Sequence, residues 1–333
     1  MGTPVKVAID AMGGDAGPTV YVPAAQQMLA SNPLLELTLV GQQDIIKPLL
    51  NGSPDRLKIV NASEVVAMDE PPADALRKKK DSSLRVAIDL VKNGKADACV
   101  SAGNTGALMA TARFVLKTLP GIERPAIMSG LPTIKGHAHM LDLGANSGCT
   151  SDQLFQFAVM GSVVINIVEN ISSPRIGLLN IGSEGIKGND TIRQAALLLE
   201  ESDLNYIGFV EGTDISRHKA DVIVCDGFSG NIALKSMEGT AHLVRHFMKQ
   251  EFKNGLYGRF AALVSLPILR SLARSLDPRR YNGASLVGLN GIVIKSHGSA
   301  DIMAFKQAIH TAIIEVDKNL PEKIHQLLVT QEH

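Results

Sequence analysis

The stretch R-I-G-L-L-N-I-G-S-E-G-I-K-G-N-D-T, residues 175–191, decides the fold class. Ile176, Leu178, Leu179 and Ile181 form an apolar run short enough for a buried parallel strand. Three glycines follow, Gly182, Gly185 and Gly188, grouped around one lysine, Lys187. Asn189-Asp190-Thr191 then supplies N-cap chemistry for a helical pattern through Ile192, Ala195, Ala196, Leu198 and Leu199. A strand, a glycine loop and a helix N-terminus together make an anion site, because free N–H groups and the helix dipole face the ligand. The lysine precedes its glycine, so the nucleotide-binding P-loop order is not met. The plainer reading is an ordinary βα turn with a solvated lysine. The same device, however, recurs along the chain.

Working outward, alternating or apolar runs predict strands at 5–9, 35–40, 57–60, 98–100, 140–143, 206–210, 222–224, 285–289 and 292–294. Helical patterns lie between them, from Pro18 to about Leu29, over 86–91, 108–116, 154–168 and 302–316, and after Asn231. This alternation indicates βαβ units and a largely parallel sheet, an α/β fold. At least six loops of Gly, Asn, Asp or Ser follow a strand and precede a helix. In a parallel sheet such loops share one edge, where ligands bind near a switch point. The expectation is one long glycine-lined cleft for a small anion and an extended partner.

Bulk properties narrow the function. At 333 residues, 45% apolar and 20% charged, the chain has the composition of a soluble globular protein. Formal net charge is zero, which argues against a general nucleic-acid binder. Three cysteines, Cys99, Cys149 and Cys225, lack C-x-x-C spacing, and an odd count suits a reducing compartment. No signal-peptide h-region is read at the N-terminus, and no run of 18 uncharged apolar residues is present.

Several residues carry chemistry. Asp10, Asp15, Asp142 and Asp226 stand at strand ends, where they can bind a metal, act in acid–base work, or cap helices. Asn104, Asn146, Asn180 and Asn231 can hold a phosphate or a developing oxyanion, or serve turn chemistry. His297, between Ser296 and Gly298, is the preferred catalytic histidine, with a structural imidazole as the alternative. His242 and His246 are spaced i, i+4, but no glutamate completes a zinc motif. No G-x-S-x-G elbow supplies a serine nucleophile, and no G-x-G-x-x-G follows a strand. The basic run 77–80 with Arg85 is either a solvated face or a docking patch for an acidic partner. In 256–276, Leu256, Phe260, Leu263, Val264, Ile268, Leu269, Leu272 and Leu276 form an apolar stripe flanked by Arg259, Arg270 and Arg274. It fits two short amphipathic helices broken at Pro267, as core packing, a dimer contact or a membrane-surface foot.

Six linked motifs carry a resemblance. They are I-D-A-M-G-G-D-A-G-P (9–18), S-A-G-N-T-G-A (101–107), L-D-L-G-A-N (141–146), L-N-I-G-S-E-G-I-K-G (179–188), V-C-D-G-F-S-G-N (224–231), and Y-N-G-A-S-L-V-G-L-N-G (281–291) with K-S-H-G-S (295–299). In this order, spanning residues 5 to about 311, they resemble PlsX, the acyl-acyl-carrier-protein:phosphate acyltransferase family of bacterial phospholipid synthesis. One departure stands out. Ser147-Gly148 occupies the place where the family pattern has Val-Asp, so no carboxylate role carries over to position 148. The 252–280 segment resembles the family in character more than in residues.

The resemblance implies a Rossmann-like α/β/α sandwich, similar to the isocitrate and isopropylmalate dehydrogenases and to phosphotransacetylases. It implies one continuous catalytic unit over 1–333, with 252–280 as a dimer or membrane contact. It implies transfer of a fatty acyl group from acyl carrier protein to inorganic phosphate, by a homodimer without cofactor or metal. That dimer would be cytoplasmic and peripheral at the inner face of the cell membrane, passing acyl phosphate to a membrane glycerol-3-phosphate acyltransferase. Phosphate brings its own attacking oxygen, consistent with the missing serine elbow. On this reading Lys187, Asn231 and His297 are catalytic. Asp10, Gly13, Gly14, Asp15, Asn104, Thr105, Asn146, Gly185, Gly188, Asp226 and Ser229 bind phosphate or substrate. Lys187 would hold phosphate or the oxyanion, Asn231 and Asn104 would donate further bonds, and His297 would orient phosphate or protonate the thiol. Competing readings are a phosphotransacetylase using acyl-coenzyme A, a dehydrogenase of the related fold, and a non-catalytic scaffold for carrier and membrane.

Overall fold

The computed structural model describes residues 3–52, 55–275 and 277–331. Leu276 of the apolar stripe and the Arg274 side chain lie outside what is described. Eleven strands form one sheet. They are β1 (Val5–Asp10), β2 (Leu35–Gly41), β3 (Leu57–Asn61), β4 (Ala98–Ser101), β5 (Ala126–Thr133), β6 (Gly136–Leu141), β7 (Ile176–Leu179), β8 (Tyr206–Val210), β9 (Val222–Val224), β10 (Ala284–Val287) and β11 (Ile292–Lys295). Their spatial order is β3-β2-β1-β4-β11-β10-β5-β6-β9-β7-β8.

Pairing is parallel throughout the first five strands and again throughout the last four. Between them, β10 is antiparallel to β11 and to β5, and β5 is antiparallel to β6. Three reversals leave the two halves of the sheet running in opposite directions. The expectation that all loops share one edge is therefore corrected. A parallel sheet has one C-terminal edge, and this sheet has two.

The register brings those edges together. Asp10 pairs with Ser101, Ser101 with Lys295, and Lys295 with Ala284. One row along, Ser285 pairs with Met128, Met128 with Leu141, and Leu141 with Val224. The last residues of β1, β4 and β11 thus sit one row from the last residues of β6 and β9. The halves are offset lengthwise, and the C-terminal ends of one meet those of the other across β10 and β5. This meeting line, rather than an outer edge, is the place for the expected cleft.

Helices cover both faces, giving three layers. Pro72–Lys78, Ser83–Lys92, Thr105–Leu116 and the inner part of Gly227–Lys253 pack on one face. Pro18–Ser31 and Ile302–Asp317 cover the first half of the other face, where Tyr21 stacks on Phe305 at 4.2 Å. Ser151–Glu169, Asp190–Glu200 and Leu320–Gln331 cover its second half. Ser151–Glu169 starts from a reciprocal capping box between Thr150 and Gln153. By length and apolarity it could cross a membrane, yet it is mostly buried, with Phe157, Ala158 and Met160 fully enclosed.

The chain leaves this body through the outer part of Gly227–Lys253 and returns through Gly255–Val264 and Leu266–Ser275. The break falls at Ser265, and Pro267 sits in the first turn beyond it, where a missing N–H is harmless. Nothing in Gly255–Val264 is buried, and Leu256 and Leu263 are 85% and 70% exposed. The described part of the stripe is not core.

Candidate active site

The first-half edge is built around Asp10, fully buried at the end of β1. Its Oδ1 accepts the N–H groups of Met12 and Gly13, and its Oδ2 accepts the Ser101 hydroxyl at 2.7 Å. Asp10 is thus a brace between strand ends. Glycine is required beside it. A Cβ on Gly13 would lie 2.4 Å from Asp10 Oδ2, and Gly14 has φ +82° with Tyr21 Oη 2.6 Å from its would-be Cβ. The Asp15 N–H donates to the Gly298 carbonyl at 2.9 Å, which joins the loop after β1 to the loop after β11. The Asp15 carboxylate stays at the exposed rim.

Asn104 is engaged at both ends of its amide. Its Oδ1 caps the Thr105–Leu116 helix at Ala107 N–H, and its Nδ2 donates to the carbonyls of Ala67, Met68 and Glu70. A side chain 8% exposed with three acceptors on one NH2 holds the 67–70 loop in place and has no donor left for phosphate. Thr105 opens that helix with an exposed side chain.

His297 lies on the same edge, exposed to the cleft. Its backbone N–H donates to Asn282 Oδ1 at 2.9 Å. Its Nδ1 accepts the Ser299 N–H and lies 2.9 Å from Ser299 Oγ. Acceptance at Nδ1 leaves the proton on Nε2. Partial burial holds its pKa below the usual histidine range, aided by Lys235 and Lys295 and opposed by Glu238 and Asp15. The ring is therefore neutral near pH 7 and offers one N–H.

Lys295, the last residue of β11, is a site residue that no local sequence pattern marks. Its Nζ donates to the Ala102 carbonyl at 3.3 Å and to the Ser296 carbonyl. Burial pushes its ammonium down to about 8, with Asp10 opposing and Lys235 reinforcing the shift. Lys235 rides on Gly227–Lys253, which starts in the second half. A helix from one half thus brings a cation to the strand ends of the other.

The second-half edge repeats the plan. Asp142, fully buried after β6, accepts N–H groups from Ile127, Gly144, Ala145 and Asn146. Asn146 spends its Nδ2 on the Pro125 carbonyl and on Asp142 Oδ2, and so serves the loop rather than a ligand. Asp226 caps Gly227–Lys253 by accepting Ser229 N–H and Oγ at 2.8 and 2.9 Å. Asn231 stands in the first turn, exposed, against Gly144. No hydrogen bond involves its side chain among the described residues, which leaves it open to a ligand.

The 180–189 loop closes on itself. Asn180 Nδ2 donates to the Lys187 carbonyl, and its Oδ1 accepts Ile181 N–H. Gly188 (φ +87°) sits against that amide, 2.5 Å from Asn180 Oδ1 to a would-be Cβ, whereas Gly185 is open. Lys187 is exposed, with its stem over Gly182. Asn189 caps the next helix at Ile192 N–H. A Cβ at Gly148 would meet nothing within 4 Å, so its lack of a carboxylate is not forced by space.

No cysteine is an activated nucleophile. Cys99 and Cys225 are buried with raised pKa values. Burial, with Asp142 and Asp226 adding to it, pushes Cys149 up to about 12. The basic run is partly neutralised within itself. Lys78 pairs with Asp74, Lys79 with Glu70, and Arg85 with Asp89.

The chain matches a family model described as "Fatty acid synthesis protein" over residues 5–323. It is 60% identical over 328 residues to a phosphate acyltransferase of Alkalilimnicola ehrlichii, covering 97% of this chain and 96% of that one. The chain belongs to the phosphate acyltransferase family. Membership makes it an acyltransferase. Its fold is that of the phosphotransacetylases and related dehydrogenases. A Streptococcus pyogenes phosphotransacetylase superposes with TM-score 0.62 at 23% identity, covering 94% of each chain. A Klebsiella pneumoniae 4-hydroxythreonine-4-phosphate dehydrogenase gives TM-score 0.53 at 14% identity, covering 95% of this chain and 98% of that one.

Proposed function

We propose that this phosphate acyltransferase moves a fatty acyl group from the thioester of acyl carrier protein to inorganic phosphate. The observation that carries the reading is the set of residues at the meeting strand ends. Lys295, His297 and Lys235 interact with one another, the exposed Asn231 stands one helical turn before Lys235 on the same helix, and none of the three cysteines is ionised. A site rich in cations and N–H donors but poor in nucleophiles suits a substrate that is its own nucleophile.

A phosphate oxygen attacks the thioester carbon, the tetrahedral oxyanion collapses, and the C–S bond breaks. The products are acyl phosphate and the carrier thiolate, which takes its proton from solvent. Holding two anions in register can supply several kcal/mol of the barrier. Lys295 and Lys187 balance phosphate charge, and His297 orients it through Nε2–H. Its lowered pKa favours orientation over proton donation. Asn231 donates to the thioester oxygen, a role worth about 3 kcal/mol where such donors have been removed.

The enzyme further works as a cytoplasmic homodimer, peripheral at the inner face of the membrane, where acyl phosphate passes to a glycerol-3-phosphate acyltransferase. The exposed Leu256, Tyr257, Phe260 and Leu263, with Arg259 among them, support a surface contact by the helical arm.

The test is thiol release from palmitoyl-acyl-carrier-protein by purified protein, with and without phosphate. Phosphate-dependent release with acyl phosphate as product is expected. Release without phosphate makes the protein a thioesterase, and release only from palmitoyl-coenzyme A favours the phosphotransacetylase reading. No release from either overturns the proposed reaction.

A further inference from the structure

Away from the cleft, β6 carries His137 and His139, two residues apart and so on one face of the strand. That face is opposite to Gly227–Lys253, because the intervening Ala138 and Met140 belong to the core beneath that helix. Ser151–Glu169 ends beside the two histidines and delivers Glu169 as its last residue. Glu169 Oε1 lies 3.1 Å from His137 Nε2. One ligand atom from each of His137, His139 and Glu169 falls within 4.8 Å of the others. The two rings meet edge to face at 5.0 Å.

We propose that His137, His139 and Glu169 bind a divalent transition-metal ion of the zinc type. Two imidazoles and one carboxylate form the borderline N2O donor set that suits zinc and disfavours magnesium or calcium, which take oxygen ligands. Donors about 2 Å from a tetrahedral ion stand roughly 3.4 Å apart, so small side-chain rotations close the present cluster onto one ion.

Two further features favour a cation here. The last turn of Ser151–Glu169 contains no basic residue, so the negative end of its dipole is uncompensated where Glu169 stands. No hydrogen bond involves the His139 ring among the described residues, which leaves its nitrogens open to an ion. Gly130, paired with His139 across the ladder, adds no side chain of its own beside the rings; a Cβ there would lie 3.4 Å from Tyr281 Cδ1, 3.5 Å from His137 Cδ2 and 3.7 Å from His139 Nε2, so the Tyr281 ring walls that side of the cluster.

Binding ties the β5–β6 hairpin to the end of Ser151–Glu169. The site belongs to the fold rather than to acyl transfer, and it stands whether or not the proposed reaction is correct. H-A-H on a strand has no metal spacing of its own until the helix folds Glu169 onto it.

The test uses untagged full-length protein stripped with chelator, titrated calorimetrically with zinc, and with cobalt followed by its visible d–d band. One equivalent is expected to bind and to raise Tm. His139→Gln and Glu169→Gln should each weaken binding by at least about 10-fold while leaving the metal-free melting curve in place. If His139→Gln fails to fold, the half-exposed His137→Gln serves instead. Unchanged zinc affinity in these variants, or no one-equivalent binding by the parent protein, overturns the proposal.

Discussion

Asp10 Oδ2 accepts the Ser101 hydroxyl at 2.7 Å, joining two strand ends 91 residues apart in sequence. The same carboxylate, through Oδ1, accepts the N–H groups of Met12 and Gly13. Asp10→Ala leaves two buried donors, the Gly13 N–H and the Ser101 hydroxyl, without an acceptor, at about 1–3 kcal/mol for each unsatisfied group. Urea denaturation should show a total loss of roughly 2–6 kcal/mol. A loss below about 0.5 kcal/mol, the range of ordinary surface changes, would contradict the bracing role.

Lys295 makes stability rise with pH. Its native pKa of about 8 lies below the ordinary 10.5, so between those values the unfolded chain binds more protons. The penalty of burying the ammonium is present below pH 8 and is relieved on going from 8 to 10.5, by about 3 kcal/mol. Lys295→Met should flatten this limb in denaturation curves taken at successive pH values. Phosphate-dependent turnover should fall as pH rises through about 8, and Lys295→Arg should move that fall to higher pH. A parent turnover profile with no fall near pH 8 would remove the ammonium from phosphate binding.

Glu315 acts with the opposite sign. It is buried, accepts the Ser285 hydroxyl at 3.1 Å as its one hydrogen bond among the described residues, and has a pKa pushed up to about 8 by burial. The native chain keeps this proton between the ordinary 4.5 and 8 while the unfolded chain releases it, so stability falls across that window. Glu315→Gln should remove the fall and raise stability at pH 8 by a few kcal/mol. Parallel stability profiles for parent and variant from pH 5 to 8 would refute this.

Lys187 stands on the loop after β7 and Asn231 in the first turn of Gly227–Lys253, both exposed. Lys187→Ala and Asn231→Ala should each lower phosphate-dependent turnover by about 10²-fold or more, as removing an oxyanion donor does. Neither should move Tm, since neither side chain is buried. Near-parent turnover in one variant removes that residue from the mechanism.

The strand–loop–helix repeats were legible because they are local. Apolar runs followed by glycine and an N-cap residue are visible in any window of about 15 residues. β5 was not read, because Gly130 and Pro132 interrupt it. Without it the reversal between the halves was invisible, since Ser285 meets Met128 only in the folded sheet. Asn104 and Asn146 looked like free donors for the same reason. The carbonyls that occupy them belong to Ala67–Glu70 and Pro125, which no local pattern connects to them. Lys295 stood in plain view inside a motif, but its chemistry comes from burial, which is a property of the assembled sheet.

The strand order bears on how the protein is made. β11 lies between β4 and β10, so the fourth strand receives its neighbour from near the far end of the chain. As the polypeptide leaves the ribosome, Ala98–Ser101 presents an unpaired strand edge until Ile292–Lys295 has been synthesised. Such an edge invites pairing with other chains. The intervening segment must fold while that edge waits, and the Ser296–Ser299 loop that carries His297 arrives with the same strand. Closing the edge and completing the cleft are thus one event, late in synthesis, and a nascent chain that stalls before it is both inactive and prone to self-association.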